Sequence, residues 1–163
     1  MPNKWTFTIK PIKALIGRHV LGCWVDPFAG MNSPAQLKND LNPEMAADSH
    51  LDALEFLRNL TSGTYDGVLF DPPYSITQAA ECYKSFGKEK LDLSVSSMGY
   101  WAAIKDEIAR IIKPGGKAIC CGWTSMGICK SRDFEMVEVL LVPHGGSKND
   151  TIVTVEVKDG RGA

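Results

Sequence analysis

An aspartate, two prolines and a tyrosine stand in a row at Asp71, Pro72, Pro73 and Tyr74, directly after the apolar run YDGVLF at 65–70. Proline fixes its own φ and so stiffens the direction of the carbonyl it carries. A carboxylate beside such a carbonyl is a pair of hydrogen-bond acceptors held in one orientation, and the tyrosine ring adds a face on which a planar ligand can lie. Asp-Pro also opens ordinary turns, so the same four residues read as the punctuation that ends a strand.

Two more stretches carry polar groups just past apolar segments. DPFAGMN at 26–32 follows HVLGCWVD, and NDLNPE at 39–44 follows the weaker AQLK. A glycine after a strand lets backbone approach a ligand closely. An acidic residue at the end of a second strand accepts hydrogen bonds from ribose hydroxyls in dinucleotide folds.

The elements that must position these residues follow from periodicity. Segments 19–26, 35–41, 65–70 and 117–123 read as strands, the third stopped by Pro72 and Pro73. SHLDALEFLRNL at 49–60 has helical spacing. So does YWAAIKDEIARIIKPGG, which puts Trp101, Ile104, Ile108, Ile111 and Ile112 on one face before Pro114, Gly115 and Gly116. A short helix is expected around Gln78–Phe86, leading into a polar loop. FEMVEVLLVP and TIVTVEVK, separated by HGGSKND, read as a terminal antiparallel hairpin. Strand–helix alternation with a terminal hairpin predicts a mostly parallel α/β sheet covered by helices on both faces. In such sheets ligands bind beyond the carboxyl ends of the strands, which is where 26–32, 39–44 and 71–74 fall.

The 163 residues fit one domain, and the hydrophobic fraction of 44% supports a core. A net charge of −1 excludes binding of nucleic acid by broad electrostatics; such contact needs a local patch or a partner. No apolar stretch approaches a membrane span, and the N-terminus lacks a signal-peptide pattern. The five cysteines form no C-x-x-C pair, which points to reduced thiols in a cytoplasmic protein. His19, His50 and His144 show no ligand spacing, so no metal site is expected.

DPPY after an apolar strand resembles the catalytic motif of S-adenosylmethionine-dependent amino-methyltransferases acting on adenine N6 or cytosine N4. DPFAG resembles that family's methionine-binding turn, and TIKPI at 8–12 the Lys-Pro segment before it. DLNPE is similar to the acidic end of the second strand, and HLDALEFL to the segment near the cofactor's adenine. The matches run in family order from about residue 8 to 123.

The resemblance implies a three-layer, Rossmann-like class I methyltransferase with a mostly parallel seven-stranded sheet. It also implies S-adenosylmethionine as cofactor and DNA as partner. Asp71 and the Pro72 carbonyl would accept the hydrogens of a base amine, and Pro73 would stiffen them. Tyr74 would stack on an extruded base, a contact of roughly 1–3 kcal/mol. Phe28, Gly30 and Asn32 would shape the cofactor turn, where the family usually has a glycine at the position of Asn32 and asparagine tolerates the left-handed backbone.

Asp26 reads equally as a ligand of the methionine amino group or as a cap of its own turn. Asp40 reads as the ribose acceptor or a solvated Asx-turn. Asn42 would edge the adenine pocket. Asp52 would lie near the adenine amine or serve as a helix N-terminal charge, with Asp48 a rival. Lys10 would reach the methionine carboxylate or be a surface lysine.

Lys84, Lys88, Lys90, Lys130 and Arg132 should share the rim with Tyr74, as phosphate contacts or as a solvated face. Trp123 would wall the base pocket or join the core. The chain has no room for a recognition domain, so a homodimer or a separate recognition subunit would assist. The resemblance implies adenine over cytosine, and over protein glutamine, from the leading aspartate; it leaves RNA or a free polynucleotide strand as an alternative to DNA. A non-catalytic cofactor-binding subunit is the reading from another class.

Overall fold

The computed structural model describes residues 6–73, 97–146 and 149–160. A 3-10 turn at Thr6–Thr8 leads into helix α1, Lys10–His19. Strands β1 (Trp24–Asp26) and β2 (Leu37–Lys38), helix α2 (Ala53–Arg58) and strand β3 (Tyr65–Phe70) follow. Helix α3 (Ser97–Ile111), strand β4 (Ile112–Gly122), a 3-10 turn at Lys130–Arg132 and strands β5 (Phe134–Val142) and β6 (Thr151–Lys158) complete the order.

One mixed sheet of six strands runs in the order β2-β1-β3-β4-β6-β5. β1 pairs in parallel with β2 and β3, and β3 in parallel with β4. β6 inserts antiparallel between β4 and β5, as the hairpin reading expects. The seventh strand implied by the resemblance is not among the described residues, and Gln78–Phe86 lies outside them.

Alternation along the strands splits the core in two. Val68, Phe70, Ala118 and Cys120 pack with α2 and α3, where Ile104, Ile108 and Ile111 are fully buried. Leu69, Ile119, Cys121, Val153 and Val155 pack with Ile12, Leu15 and Ile16 of α1. Each such aliphatic side chain contributes about 1.5–3 kcal/mol by leaving water.

The expected strand over 19–26 is shorter than its apolar letters suggest. The preceding segment is helix, with Pro11 in its first turn and Arg18 and His19 at its end, and both of these reach Glu138 on β5. Gly22 then takes φ 90°, and the Asp66 carboxylate lies where its Cβ would be. That carboxylate accepts the Cys23 amide at 2.8 Å and pairs with Lys113 at 2.5 Å, so pairing starts only at Trp24.

The expected helix over 49–60 contracts to six residues for a similar reason. Asp52 caps its start, and Arg110 of α3 binds the carbonyls of Leu57 and Leu60 at 2.9 Å each at its end. The strand expected at 35–41 contracts to Leu37–Lys38. After α3 the chain does not stop at its Pro-Gly-Gly. Ile112 already pairs with Tyr65, the next residues bulge out, and pairing resumes at Gly67–Lys117. Lys158 donates to the carbonyls of Ala109 and Ile112 and so satisfies the end of α3.

Candidate active site

Parallel pairing brings four strand ends to one edge of the sheet. Val25 sits opposite Val68 and Leu37, and Phe70 opposite Cys120, so Asp26, Asn39, Asp71 and Trp123 leave the sheet on the same side.

Asp26 is fully buried. One oxygen accepts the Phe28 amide at 2.9 Å and the other the Ser33 hydroxyl at 2.6 Å, so the carboxylate closes its own turn. Burial raises its pKa to about 7, and the nearby negative charges of Asp71 and Asp40 push the same way. The Ser33 and Phe28 bonds oppose the rise without cancelling it.

Gly30 reverses the chain with φ 55°, a left-handed value that suits glycine. Its amide donates to Asp40 at 2.8 Å. Asn32, expected to supply the left-handed residue, does not: the non-glycine residues with positive φ among those described are Cys129 and Asp133. The reversal falls two residues earlier, at Gly30. Asp40 also accepts the Asn42 amide at 2.8 Å, which makes it an Asx-turn tied to the first strand's loop. Asn42 in turn accepts the Glu44 amide.

Asn39 is one residue that sequence reasoning missed. It is buried, its amide nitrogen donates to the carbonyls of Pro27 and Leu51, and its oxygen accepts from Ser49 and Leu51. It therefore bolts the 26–30 turn to the segment before α2. Its position beside Asp40 in NDLNPE is the one signal that could have drawn attention to it.

Asp71 is 3% exposed at the end of β3, close enough for its charge to act on both Asp26 and Cys121. Pro72 and Pro73 are half-buried, and Tyr74 lies outside the described residues. Phe28 packs against Phe70 at 5.9 Å and Trp101 at 6.0 Å between ring centroids, which draws α3 to the same edge. Tyr100 donates from its hydroxyl to Asp52 at 2.8 Å. The other Asp52 oxygen accepts the amides of Leu54 and Glu55 at the start of α2. Asp48 instead accepts the Lys38 amide beside β2.

The remaining candidates divide. Trp123, just past β4, is 42% exposed and so is not core. Lys130 is exposed. Arg132 is engaged by α3: it donates to Asp106 at 2.6 Å and to the Ala102 carbonyl, and also to the Ile128 carbonyl. Lys10 is the exposed first residue of α1. Lys84, Lys88 and Lys90 lie outside the described residues. Among the described residues no cluster of metal-ligating side chains occurs, and no helix is long and apolar enough to cross a membrane.

No protein-family model matches the chain, and no curated protein is similar to it. Solved structures are. The 1,6-didemethyltoxoflavin-N1-methyltransferase of Burkholderia thailandensis, with 1,6-didemethyltoxoflavin and S-adenosylhomocysteine bound, superposes with a TM-score of 0.58 at 13% identity over 97% of this chain and 79% of its own. The N-methyltransferase NodS of Bradyrhizobium japonicum, in complex with S-adenosylhomocysteine, gives 0.55 at 8% identity over 91% of this chain and 84% of its own. TrmN of Thermus thermophilus gives 0.55 at 15% identity, and this chain spans 47% of it. The chain has the Rossmann-like fold of these methyltransferases.

Proposed function

We propose that the chain is an S-adenosylmethionine-dependent methyltransferase whose acceptor is the exocyclic N6 amine of adenine in DNA. The observation that carries this is the meeting of a buried carboxylate, Asp71, with the turn formed by Asp26, Phe28, Gly30 and Asp40. Asp71 and Asp40 both lie within electrostatic reach of the fully buried Asp26, so negative charge gathers at this edge of the sheet. A donor carrying an ammonium and a sulfonium suits that charge. The methyltransferases that share the fold, with S-adenosylhomocysteine bound in two of them, support the same donor.

When bound, the cofactor supplies a methyl group on a positively charged sulfur. Asp26 would pair with its amino group, Asp40 with its ribose, and Phe28, Gly30, Asn32, Asn42 and Asp52 would shape the pocket, with Lys10 toward the carboxylate. On the acceptor side, a base amine is a poor nucleophile because its lone pair is delocalised into the ring. Asp71 and the Pro72 carbonyl would accept its two hydrogens, draw the nitrogen toward tetrahedral geometry and free the lone pair. Tyr74 and Trp123 would hold the base, and Lys84, Lys88, Lys90, Lys130 and Arg132 the phosphates. The leading aspartate of Asp71–Tyr74 favours adenine.

The test is transfer of label from S-adenosylmethionine to unmethylated DNA, RNA and protein extract in parallel, followed by digestion and identification of the product. N6-methyladenine from DNA is the expected product. Label in RNA, cytosine or glutamine moves the acceptor, and cofactor binding with no transfer replaces the enzyme by a cofactor-binding subunit.

A further inference from the structure

The loop after β4 is anchored by a third buried carboxylate, Glu156 of β6, at 1% exposure. Its oxygens accept the amides of Ile128 at 2.6 Å and Cys129 at 3.0 Å. A buried charge held by backbone amides makes short, strong bonds and avoids the penalty of an unpaired ion. Gly127 has φ 47°, and a Cβ there would overlap the Glu156 carboxylate. Cys129 takes φ 84°, a costly value for a side-chain-bearing residue that the surrounding bonds must enforce. From the other side Arg132 joins the Ile128 carbonyl to Asp106 and Ala102 of α3. The loop is thus fastened at 127–132 to both the sheet and a helix.

What this anchorage presents is the four-residue stretch Trp123–Met126, all exposed, with Trp123 at 42% and Met126 at 69%. The stretch leaves β4 next to the end of β3, where Cys121 lies within reach of the Asp71 charge. We propose that Glu156 is a positioning residue for the acceptor: by fixing the loop's root it holds Trp123–Met126 as a preformed shelf for a planar aromatic base beside Asp71. A shelf ordered before binding spares the complex the entropy of ordering it. This rests on the reading of the chain as a base methyltransferase, and it adds a residue from the far hairpin that the motifs do not include.

The experiment compares Glu156→Gln, Gly127→Ala and the double variant Thr124→Gly/Ser125→Gly with the unmodified protein. The quantities measured are KM and kcat for an adenine-containing oligonucleotide, cofactor affinity by calorimetry, and Tm. All three variants should raise KM for the oligonucleotide by about tenfold, a loss of about 1.4 kcal/mol. Cofactor affinity should stay within about twofold. Should Glu156→Gln or Gly127→Ala fail to fold, the glycine pair decides, because its two sites are exposed. An unchanged KM in the glycine pair, or cofactor affinity falling in step with KM in Glu156→Gln, overturns the inference. Absence of transfer to any polynucleotide by the unmodified protein instead overturns the function on which it rests.

Discussion

Asp26 and Glu156 are both sunk in the sheet, at 0% and 1% exposure, yet their surroundings differ in kind. Glu156 is enclosed by two backbone amides from one loop, so its charge is spent on holding that loop in place. Asp26 has one amide and one hydroxyl, and it faces two further carboxylates, Asp71 and Asp40. A chain selected only for stability would not gather three acids at one strand edge. The contrast is between a buried carboxylate set beside two other acids, whose mutual repulsion a bound cation would relieve, and one held by the amides of a single loop.

Asp71→Ala tests the contrast most severely. Transfer should fall on the order of 10²- to 10³-fold, as when one preorganised polar partner is removed from a reacting centre. Cofactor affinity should survive, and the pH midpoint of cofactor binding should move down, because a negative neighbour of Asp26 has gone. Calorimetry from pH 5 to 8 beside the label assay reads both. Full turnover by the variant would remove Asp71 from the chemistry.

Asp26→Asn comes next. In the folded chain burial pushes the Asp26 carboxyl up to about 7 from the ordinary 3.8, a difference on the order of 4 kcal/mol between its two protonation states. A raised folded value means the group's contribution to stability is full below about pH 4 and is lost as pH rises through about 7. The asparagine variant should therefore match the unmodified protein near pH 4 and exceed it by roughly 4 kcal/mol at pH 8, while binding cofactor more weakly at both. Denaturant titrations at the two pH values check this. A stability difference that does not change with pH would mean the carboxyl is not neutralised by burial, and the contrast with Glu156 would lose its basis.

These two residues also mark where the sequence could be read and where it could not. Asp26 and Asp71 stand at the ends of apolar runs, so the strand-end argument placed them on one edge of the sheet. β3 and the terminal hairpin came out at the expected residues because their patterns are bounded by prolines and glycines. Glu156 was invisible. In TIVTVEVK it occupies an alternating polar position that reads as solvent-facing, and its partners lie 28 and 27 residues earlier in the chain. Helix α1 was missed for a related reason: its apolar Ile12, Leu15 and Ile16 continue into Val20 and Leu21, and the turn at Gly22 that separates helix from strand depends on Asp66, far along the chain. Asn39 likewise gains its meaning only from the carbonyls of Pro27 and Leu51.

Asp52 lies between the two cases, half-buried, and supplies the finest test. One oxygen is occupied by amides of α2 and the other receives the Tyr100 hydroxyl, so the carboxylate links the start of α2 to α3, whose Trp101 packs on Phe28. If its role is scaffold-like, as with Glu156, Tyr100→Phe should lower stability by about 1 kcal/mol, the net worth of one such bond, and leave cofactor affinity unchanged. If Asp52 also meets the cofactor's adenine amine, Tyr100→Phe should tighten affinity by removing one competing donor, while Asp52→Asn should weaken it about tenfold. The pair of variants, measured by calorimetry and denaturant titration, assigns the residue. Asp52→Asn that costs stability but no affinity places it with Glu156, and the adenine contact would then have to come from elsewhere in the pocket.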